Sequence, residues 1–305
     1  MLYQTLMFMS WCARHTPYKL LMGIGRLLGN LYYLLVKKQR NRAIRQMSLC
    51  LQMPDEEVRR TVRESFVNLA RNMLEILYMP NLNAQNLHEY VEIDHLERVT
   101  EAMKEGHGLV VITGHVGTWE WMSAAMALSN VQTTAIAKPQ PNMDYTRALD
   151  DLRSTVGVEI FSRGTSELLA AGRALKKGKL LGFLMDQDAG PGGAFIDFLG
   201  RTASTPMGAA VFARKFNAPV IPMFILRQKS GKHRICIGEA MRCGDTGDTD
   251  KDLFDFTVRM TGIIDRVIRE NPTQWIWFQK RWNTAPEEQK KNKHHTVKSK
   301  EQDGE

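Results

Sequence analysis

Short apolar runs alternate with helix-like stretches between about residues 92 and 270, and no other feature of the sequence constrains the fold as strongly. The predicted strands cover residues 108–113, 133–137, 158–161, 180–185, 194–199, 219–226 and 234–238. The predicted helices cover residues 118–129, 142–156, 165–177, 206–216 and 252–270. This alternation predicts an α/β fold in which helices flank a buried mixed or largely parallel sheet. The segment 229–232 (KSGK) predicts a hairpin turn that adds an antiparallel strand.

The first 54 residues carry the whole net positive charge of the chain. They contain eight Lys or Arg residues and no Asp or Glu, which equals the net charge of +8 for all 305 residues. Apolar stretches at residues 1–13 and 18–36 precede a basic run at residues 37–45. This order is typical of a helix that lies at a membrane surface and contacts anionic headgroups. A nucleic-acid-binding protein more often spreads its basic residues over a folded face, so no nucleic-acid partner is predicted.

Two charges inside residues 18–36, Lys19 and Arg26, disfavour a simple membrane span. A surface-lying helix, a span and an ordinary buried helix therefore stay open at this point. Gly25 and Gly29 in the same segment predict close packing between helices.

The composition divides the chain into three regions: a membrane-anchoring segment at 1–45, a folded domain at 46–285 and a polar tail at 286–305. The domain begins near an amphipathic helix at 54–80, whose apolar residues recur at helical spacing. The tail has almost no apolar residues, which predicts disorder. The four cysteines are scattered and form no C-x-x-C pair, so no zinc site is predicted, and no motif requires a metal or cofactor.

The segment 114–121 (GHVGTWEW) follows a predicted strand and begins a helix, with Thr118 as the expected N-cap. His115 and Glu120 are five residues apart, which corresponds to about 140° of rotation on a continuous helix. We therefore place His115 in the preceding loop, folded back onto the carboxylate of Glu120. A carboxylate bound to one imidazole nitrogen leaves the other nitrogen free as a base. No G-x-S-x-G motif occurs, so the nucleophile is expected to be a substrate hydroxyl; a purely structural pair is the alternative.

Two further motifs carry candidate functional residues. The segment 186–193 (DQDAGPGG) follows a strand, where ligand-binding loops of α/β sheets lie. Asp186 and Asp188 there are predicted to bind a metal or to orient polar groups, with a solvated turn as the alternative. The segment 275–282 (WIWFQKRW) carries three tryptophans beside two basic residues, which predicts either a membrane-interface segment or a packed terminal segment.

Together, and in this order, the three motifs resemble the lipid A biosynthesis lauroyl/myristoyl acyltransferase family, a branch of the glycerolipid acyltransferases that carry an H-x4-D/E motif. The resemblance covers about residues 20–283 and includes Lys138-Pro139, Asn142, the segment 150–157 (DDLRSTVG) and the stretches 174–190 and 195–222. It implies a mixed sheet flanked by helices, with a membrane-associated helix at the N-terminus.

The resemblance also implies roles for individual residues. His115 is implied to be a general base that Glu120 holds in place. Arg153 matches a family arginine that holds an anionic or carbonyl group of the substrate. Asp186 lies in the block that binds a phosphate or the acceptor. Gln279 stands where the family usually has histidine, so no catalysis is expected from that position.

The family implies acyl carrier protein thioesters as donors and hydroxyacyl chains of a Kdo-bearing lipid A precursor as acceptors. It places the reaction at the cytoplasmic face of the bacterial inner membrane. In the predicted direct transfer, backbone amides near Gly117 and Thr118 stabilise the oxyanion and bind substrate. The alternatives are an acyl-CoA-dependent transferase acting on another glycolipid or lysolipid, a thioesterase or lipid hydrolase, and a non-catalytic membrane protein.

Overall fold

The computed structural model describes residues 1–137, 141–162 and 164–286. Lys138, Pro139 and the predicted tail beyond Pro286 lie outside these ranges. The helices are α1 (Leu2–Arg14), α2 (Tyr18–Leu35), α3 (Lys37–Cys50), α4 (Asp55–Tyr78), α5 (Leu87–Tyr90), α6 (Leu96–Lys104), α7 (Trp119–Leu128), α8 (Met143–Ser154), α9 (Thr165–Lys176), α10 (Gly208–Phe216) and α11 (Thr249–Glu270). The strands are β1 (Val91–Asp94), β2 (Leu109–Thr113), β3 (Thr133–Ala137), β4 (Glu159–Ser162), β5 (Leu180–Leu184), β6 (Ala194–Phe198), β7 (Arg201–Thr205), β8 (Val220–Arg227) and β9 (His233–Ile237).

Seven of these strands form one mixed sheet in the order β1-β9-β8-β2-β5-β3-β4. All neighbouring pairs in it are parallel except β8 and β9, which form an antiparallel hairpin. The predicted mixed sheet and the predicted hairpin are therefore confirmed. Strands β6 and β7 pair with each other as a separate antiparallel ribbon.

Strand β2 occupies the middle of the sheet, and all five of its residues are buried. Its apolar sequence (LVVIT) suits this position because helices cover both faces of the sheet. On β5, Leu184 pairs with Thr113, the last residue of β2. His115 and Asp186 each follow this pair by two residues, so the parallel register brings them to one edge of the sheet.

The first three helices pack on the outside of the sheet domain, mainly through α2 and α4. A side-chain carbon at Gly29 would lie 2.4 Å from the Cα of Val67, and one at Gly25 would lie 3.1 Å from the Cα of Arg71. Larger residues would separate the two helices, so the close packing predicted from these glycines is confirmed.

The outer face of α2 is apolar and open to solvent. Its exposed residues, spaced three, four or one apart, are Leu20, Ile24, Leu27, Leu28, Leu31, Leu34 and Leu35. This helix is therefore half-buried rather than enclosed. Along the described part of the chain, none of the helices combines the length and the apolar character that a membrane crossing requires.

Candidate active site

His115 and Asp186 form a hydrogen-bonded pair at the carboxyl edge of the sheet. The Nδ1 atom of His115 lies 2.8 Å from Oδ1 of Asp186, and the backbone N–H of His115 donates to Oδ2 at 2.8 Å. The Asp186 side chain is fully buried, whereas 16% of the His115 side chain is exposed. The Nε2 atom of His115 faces the amide of Gln187 at 3.3 Å. The buried carboxylate occupies Nδ1, so Nε2 is the ring nitrogen without a carboxylate partner and the candidate base.

The environment of Asp186 keeps its carboxylate ionised. Burial by itself raises the pKa of this group, but the charge of His115 and hydrogen bonds from His115 and Trp275 outweigh it and hold the pKa well below its usual range. The indole Nε1 of Trp275 donates to Oδ2 at 2.7 Å. The Gln279 amide also lies 3.3 Å from the backbone oxygen of Asp186. Trp275 and Gln279 thus help to orient the carboxylate.

Two of the three tryptophans in the segment 275–282 are buried in the protein. Trp275 and Trp277 are 1% and 0% exposed, so their predicted position at a membrane interface is wrong and the alternative of a packed terminal segment is confirmed. Gln46 on α3 donates to the backbone oxygens of Trp277 and Gln279 and fixes this segment behind the active site.

The predicted contact between His115 and Glu120 is wrong. Glu120 instead binds the guanidinium of Arg153 through two hydrogen bonds, Nη2 to Oε1 at 2.6 Å and Nε to Oε2 at 2.8 Å. The Trp119 indole packs against the imidazole of His115, with ring centroids 4.8 Å apart, and donates to Glu120 at 3.2 Å. The first turn of α7 therefore directs Glu120 toward Arg153, and Asp186 takes the place next to His115.

Arg153 uses its guanidinium for contacts within the protein. Besides its two bonds to Glu120, its Nη1 atom donates to Asp150 at 3.0 Å. Burial lowers the pKa of Arg153, but the carboxylates of Glu120 and Asp150 raise it by a larger amount, so the net shift of the pKa is upward. Glu120 and Arg153 are 7% and 8% exposed, so the pair is a buried ionic link between α7 and α8.

Gly117 has a structural reason for being glycine. Its φ angle is +60°, and a side-chain carbon there would lie 1.8 Å from the backbone oxygen of Ile225. Its N–H donates to the oxygen of Gln274 at 2.9 Å. The prediction that this amide binds an oxyanion is therefore wrong, because the amide already has a partner.

Thr118 occupies the predicted N-cap position of α7, but its side chain makes no capping hydrogen bond. The residue is 1% exposed, and its hydroxyl has no hydrogen-bond partner among the described residues. The backbone N–H of Thr118 lies at the start of α7, and its role in binding substrate stays a prediction.

A buried ionic network supports the loop that carries His115. The amide of Asn72 donates to the oxygen of Gly117 at 2.7 Å and accepts from Arg227 at 3.0 Å. Arg227 forms two bonds of 2.7 Å to Glu75, which also contacts His233 at 2.8 Å. These residues come from α4, β8 and β9, and no sequence pattern predicted them because they are far apart in the chain.

An apolar cavity lies beside the Glu120–Arg153 pair. Its walls come from β2, β3, β4 and β5 and from α7; they include Trp119, Met122, Met126, Thr134, Ala135, Ile136, Ile160, Gly182, Phe183 and Leu184. An apolar cavity with an ionic pair at one side is suited to a hydrocarbon chain with a polar end.

The second acidic residue of the 186–193 segment, Asp188, accepts hydrogen bonds from the backbone N–H and the hydroxyl of Thr284. Over the described ranges, no cluster of three or more His, Cys, Asp or Glu residues has the arrangement of a metal site. Asp186 accepts hydrogen bonds from His115, and its predicted contact with the acceptor stays a prediction.

The sequence matches a family model described as bacterial lipid A biosynthesis acyltransferase over residues 3–284. The chain belongs to this family. The match covers the N-terminal helices, the sheet and the 275–282 segment, and it therefore includes every residue of the site described above.

Several relatives align with most of this acyltransferase at low identity. The lipid A biosynthesis lauroyltransferase of Escherichia coli (strain K12) is 23% identical over 91% of this chain and 90% of its own length. The lipid A biosynthesis palmitoleoyltransferase of the same strain is 23% identical over 90% and 89%. The phosphatidylinositol mannoside acyltransferase of Mycolicibacterium smegmatis is 24% identical over 72% of each chain.

Proposed function

We propose that this acyltransferase transfers a fatty acyl group from an acyl carrier protein thioester to a hydroxyl of a lipid A precursor, with His115 as the general base. The observation that carries the proposal is the buried Asp186 carboxylate on Nδ1, which leaves Nε2 of His115, next to the exposed Gln187, without a carboxylate partner. The names of the relatives support the acceptor class, because lipid A and phosphatidylinositol mannosides are both glycolipids.

In the proposed step, Nε2 of His115 takes the proton of the acceptor hydroxyl as its oxygen attacks the thioester carbonyl. The tetrahedral intermediate collapses, the carbon–sulfur bond breaks, and the departing thiolate receives the proton from the imidazolium. Asp186 stabilises the positive charge on His115 between these two proton transfers. The amide of Thr118, at the start of α7, replaces that of Gly117 as the oxyanion donor.

The acyl chain of the donor is proposed to lie in the apolar cavity beside Glu120 and Arg153. This ionic pair fixes the start of α7, which carries Trp119 against His115. Glu120 is therefore a positioning residue in this proposal. Arg153 contacts the acyl carbonyl through the guanidinium N–H groups that do not bind Glu120 or Asp150.

The region 1–45 is proposed to attach the enzyme to the cytoplasmic face of the bacterial inner membrane. The exposed apolar face of α2 supports this role because contiguous apolar surface that faces water is unfavourable. The variant Leu27→Ser/Leu31→Ser is expected to bind neutral phosphatidylcholine vesicles more weakly than the wild type. The control variant Val211→Ser/Val258→Ser removes exposed apolar residues from α10 and α11, and is expected to bind like the wild type. Equal binding by all three proteins would exclude α2 as the attachment site.

The reaction is tested by mass spectrometry of the lipid product. Purified enzyme is incubated with an acyl carrier protein thioester and a Kdo-bearing lipid A precursor, beside the variant His115→Ala. An added acyl mass that is absent with the variant is the expected result. Transfer only from acyl-CoA would correct the donor, and transfer only to another glycolipid would correct the acceptor. Release of free fatty acid without any acceptor would replace the transferase proposal by a hydrolase.

A further inference from the structure

A pocket between α3 and the chain segment 280–283 is lined by four cationic side chains and no carboxylate. The four residues are Arg42, Arg45, Arg201 and Lys280. Within the described ranges none of them takes part in an ion pair. By contrast, Arg153, Arg214 and Arg227, which line other pockets, are each paired with a buried carboxylate.

Arg42 and Arg201 contact neighbouring residues but keep further N–H donors. Nη1 of Arg42 donates to the backbone oxygen of Phe278 at 3.1 Å, and the Arg201 guanidinium lies 4.9 Å from the ring centre of Trp282. The Arg45 and Lys280 side chains are exposed and form no hydrogen bond with the residues that the structure describes. These side chains are therefore available to bind an anion.

Four like charges around one pocket repel one another unless an anion neutralises them. Three guanidinium groups and an ammonium supply many charged donors, and a phosphate accepts several charge-assisted hydrogen bonds at once. We propose that this pocket binds the phosphate of an anionic lipid headgroup at the membrane surface.

The surroundings of the pocket favour a lipid over a free ion. Leu49 lines the pocket and is 54% exposed, so the ligand meets apolar surface beside the four charges. Helix α3 begins at Lys37, directly after Leu34 and Leu35 end the exposed apolar face of α2. A ligand with a phosphate next to a hydrocarbon chain satisfies both features. The inference deepens the proposed membrane attachment and does not depend on the acyl transfer.

The test compares the full-length variant Arg45→Gln/Lys280→Gln with a matched control, Arg173→Gln/Lys177→Gln. Both remove two exposed positive charges, but the control residues lie at the end of α9, outside the pocket. Co-sedimentation is measured with phosphatidylcholine vesicles and with mixed phosphatidylcholine–phosphatidylglycerol vesicles. The pocket variant is expected to lose about tenfold or more in affinity for the mixed vesicles, on the scale known for two basic residues at an anionic membrane. The control variant and all binding to neutral vesicles are expected to stay near the wild-type values.

Three results would overturn the inference. Equal losses for both variants would mean that net charge matters and the pocket does not. Unchanged vesicle binding by the pocket variant, with a thermal shift by inorganic phosphate that only the wild type shows, would identify a free-phosphate site. Unchanged vesicle binding together with a raised KM for the acyl carrier protein thioester would identify a protein-docking surface. Failure of α2 as an attachment site would appear in a different experiment. In that case Leu27→Ser/Leu31→Ser would bind neutral vesicles as tightly as the wild type.

Discussion

His115 and Asp186 are joined by two hydrogen bonds of 2.8 Å, one from the imidazole and one from the backbone N–H. The double contact fixes the ring and the loop that carries it in one orientation. The carboxylate therefore sets which nitrogen of His115 holds the proton, and this arrangement determines the first prediction.

Replacing Asp186 by Asn is expected to lower kcat by about three to four orders of magnitude, the scale seen when a histidine base loses its carboxylate partner. The substitution keeps the shape of the side chain, but the amide no longer stabilises the imidazolium. The measurement is the steady-state rate of acyl transfer, with circular dichroism as the test of folding. A folded variant that keeps wild-type kcat would remove Asp186 from the mechanism.

Replacing Glu120 by Gln is expected to act mainly on stability. Breaking the buried ion pair leaves Arg153 with only its exposed partner Asp150, at a cost of up to about 3–5 kcal/mol. The double variant Glu120→Gln/Arg153→Met is expected to regain part of this loss, because neither charge remains buried alone. Urea unfolding measures both, and Arg60→Gln, which removes an exposed partner of Glu57, is the control with little expected effect. A stable Glu120→Gln protein with a large loss of kcat would instead assign Glu120 to the chemistry.

Alanine at Gly117 is expected to abolish activity and to destabilise the fold, because its side-chain carbon would overlap the backbone oxygen of Ile225. Gly178 provides a matched control: its φ angle is +81°, and nothing lies within 4 Å of a side-chain carbon placed there. Gly178→Ala is therefore expected to cost only the strain of a left-handed residue, roughly 1–2 kcal/mol. Thermal unfolding and the rate of transfer are measured for both variants. Equal effects would show that the backbone angle alone matters.

The two buried carboxylates of Asp186 and Glu75 are expected to make the protein sensitive to acid. Burial raises the pKa of Glu75, but the charges of His233 and Arg227 outweigh it, and its pKa lies well below the usual range in the folded state, like that of Asp186. A group with a lowered folded-state pKa binds its proton more readily in the unfolded chain. Its contribution to stability is thus complete above about pH 5 and is lost as the pH falls toward the folded-state pKa.

The measurement is the free energy of unfolding in urea across this acidic range. The variant Glu75→Gln is expected to be less stable at neutral pH, because Arg227 loses its ionic partner, and to show a shallower decline in acid. An equal slope for the variant and the wild type would mean that Glu75 does not titrate between the two states.

The length of the transferred chain is expected to depend on the walls of the apolar cavity. Ala135→Leu fills part of the cavity and is expected to favour shorter acyl chains, whereas Met122→Ala enlarges it and is expected to admit longer ones. A methylene is worth only about 1–3 kcal/mol in an apolar pocket, so each shift should appear in competition between mixed thioesters. If both variants keep the wild-type distribution of products, the acyl chain lies elsewhere.

Much of the architecture was readable from the order of residues. Apolar runs predicted β2, β5 and β8 because a buried parallel strand needs apolar side chains on both faces. The strands β1 and β7 were not predicted, since β1 has four residues of which two are acidic, and β7 (RTAST) contains no apolar run. Their pairing partners, rather than their own composition, make them strands.

The sequence by itself determined the α/β alternation, the loop position of His115 before α7 and the glycine-mediated contact of α2 with α4. These features are local, or depend on residue size and periodicity. Only the tertiary structure decided which carboxylate forms a hydrogen bond with His115 and which cation pairs with Glu120. Asp186 lies 71 residues beyond His115, and it arrives there because β5 pairs beside β2 in the sheet. The order of strands depends on how the whole chain packs, so a hydrogen bond between neighbouring strands cannot be deduced from the spacing within either one.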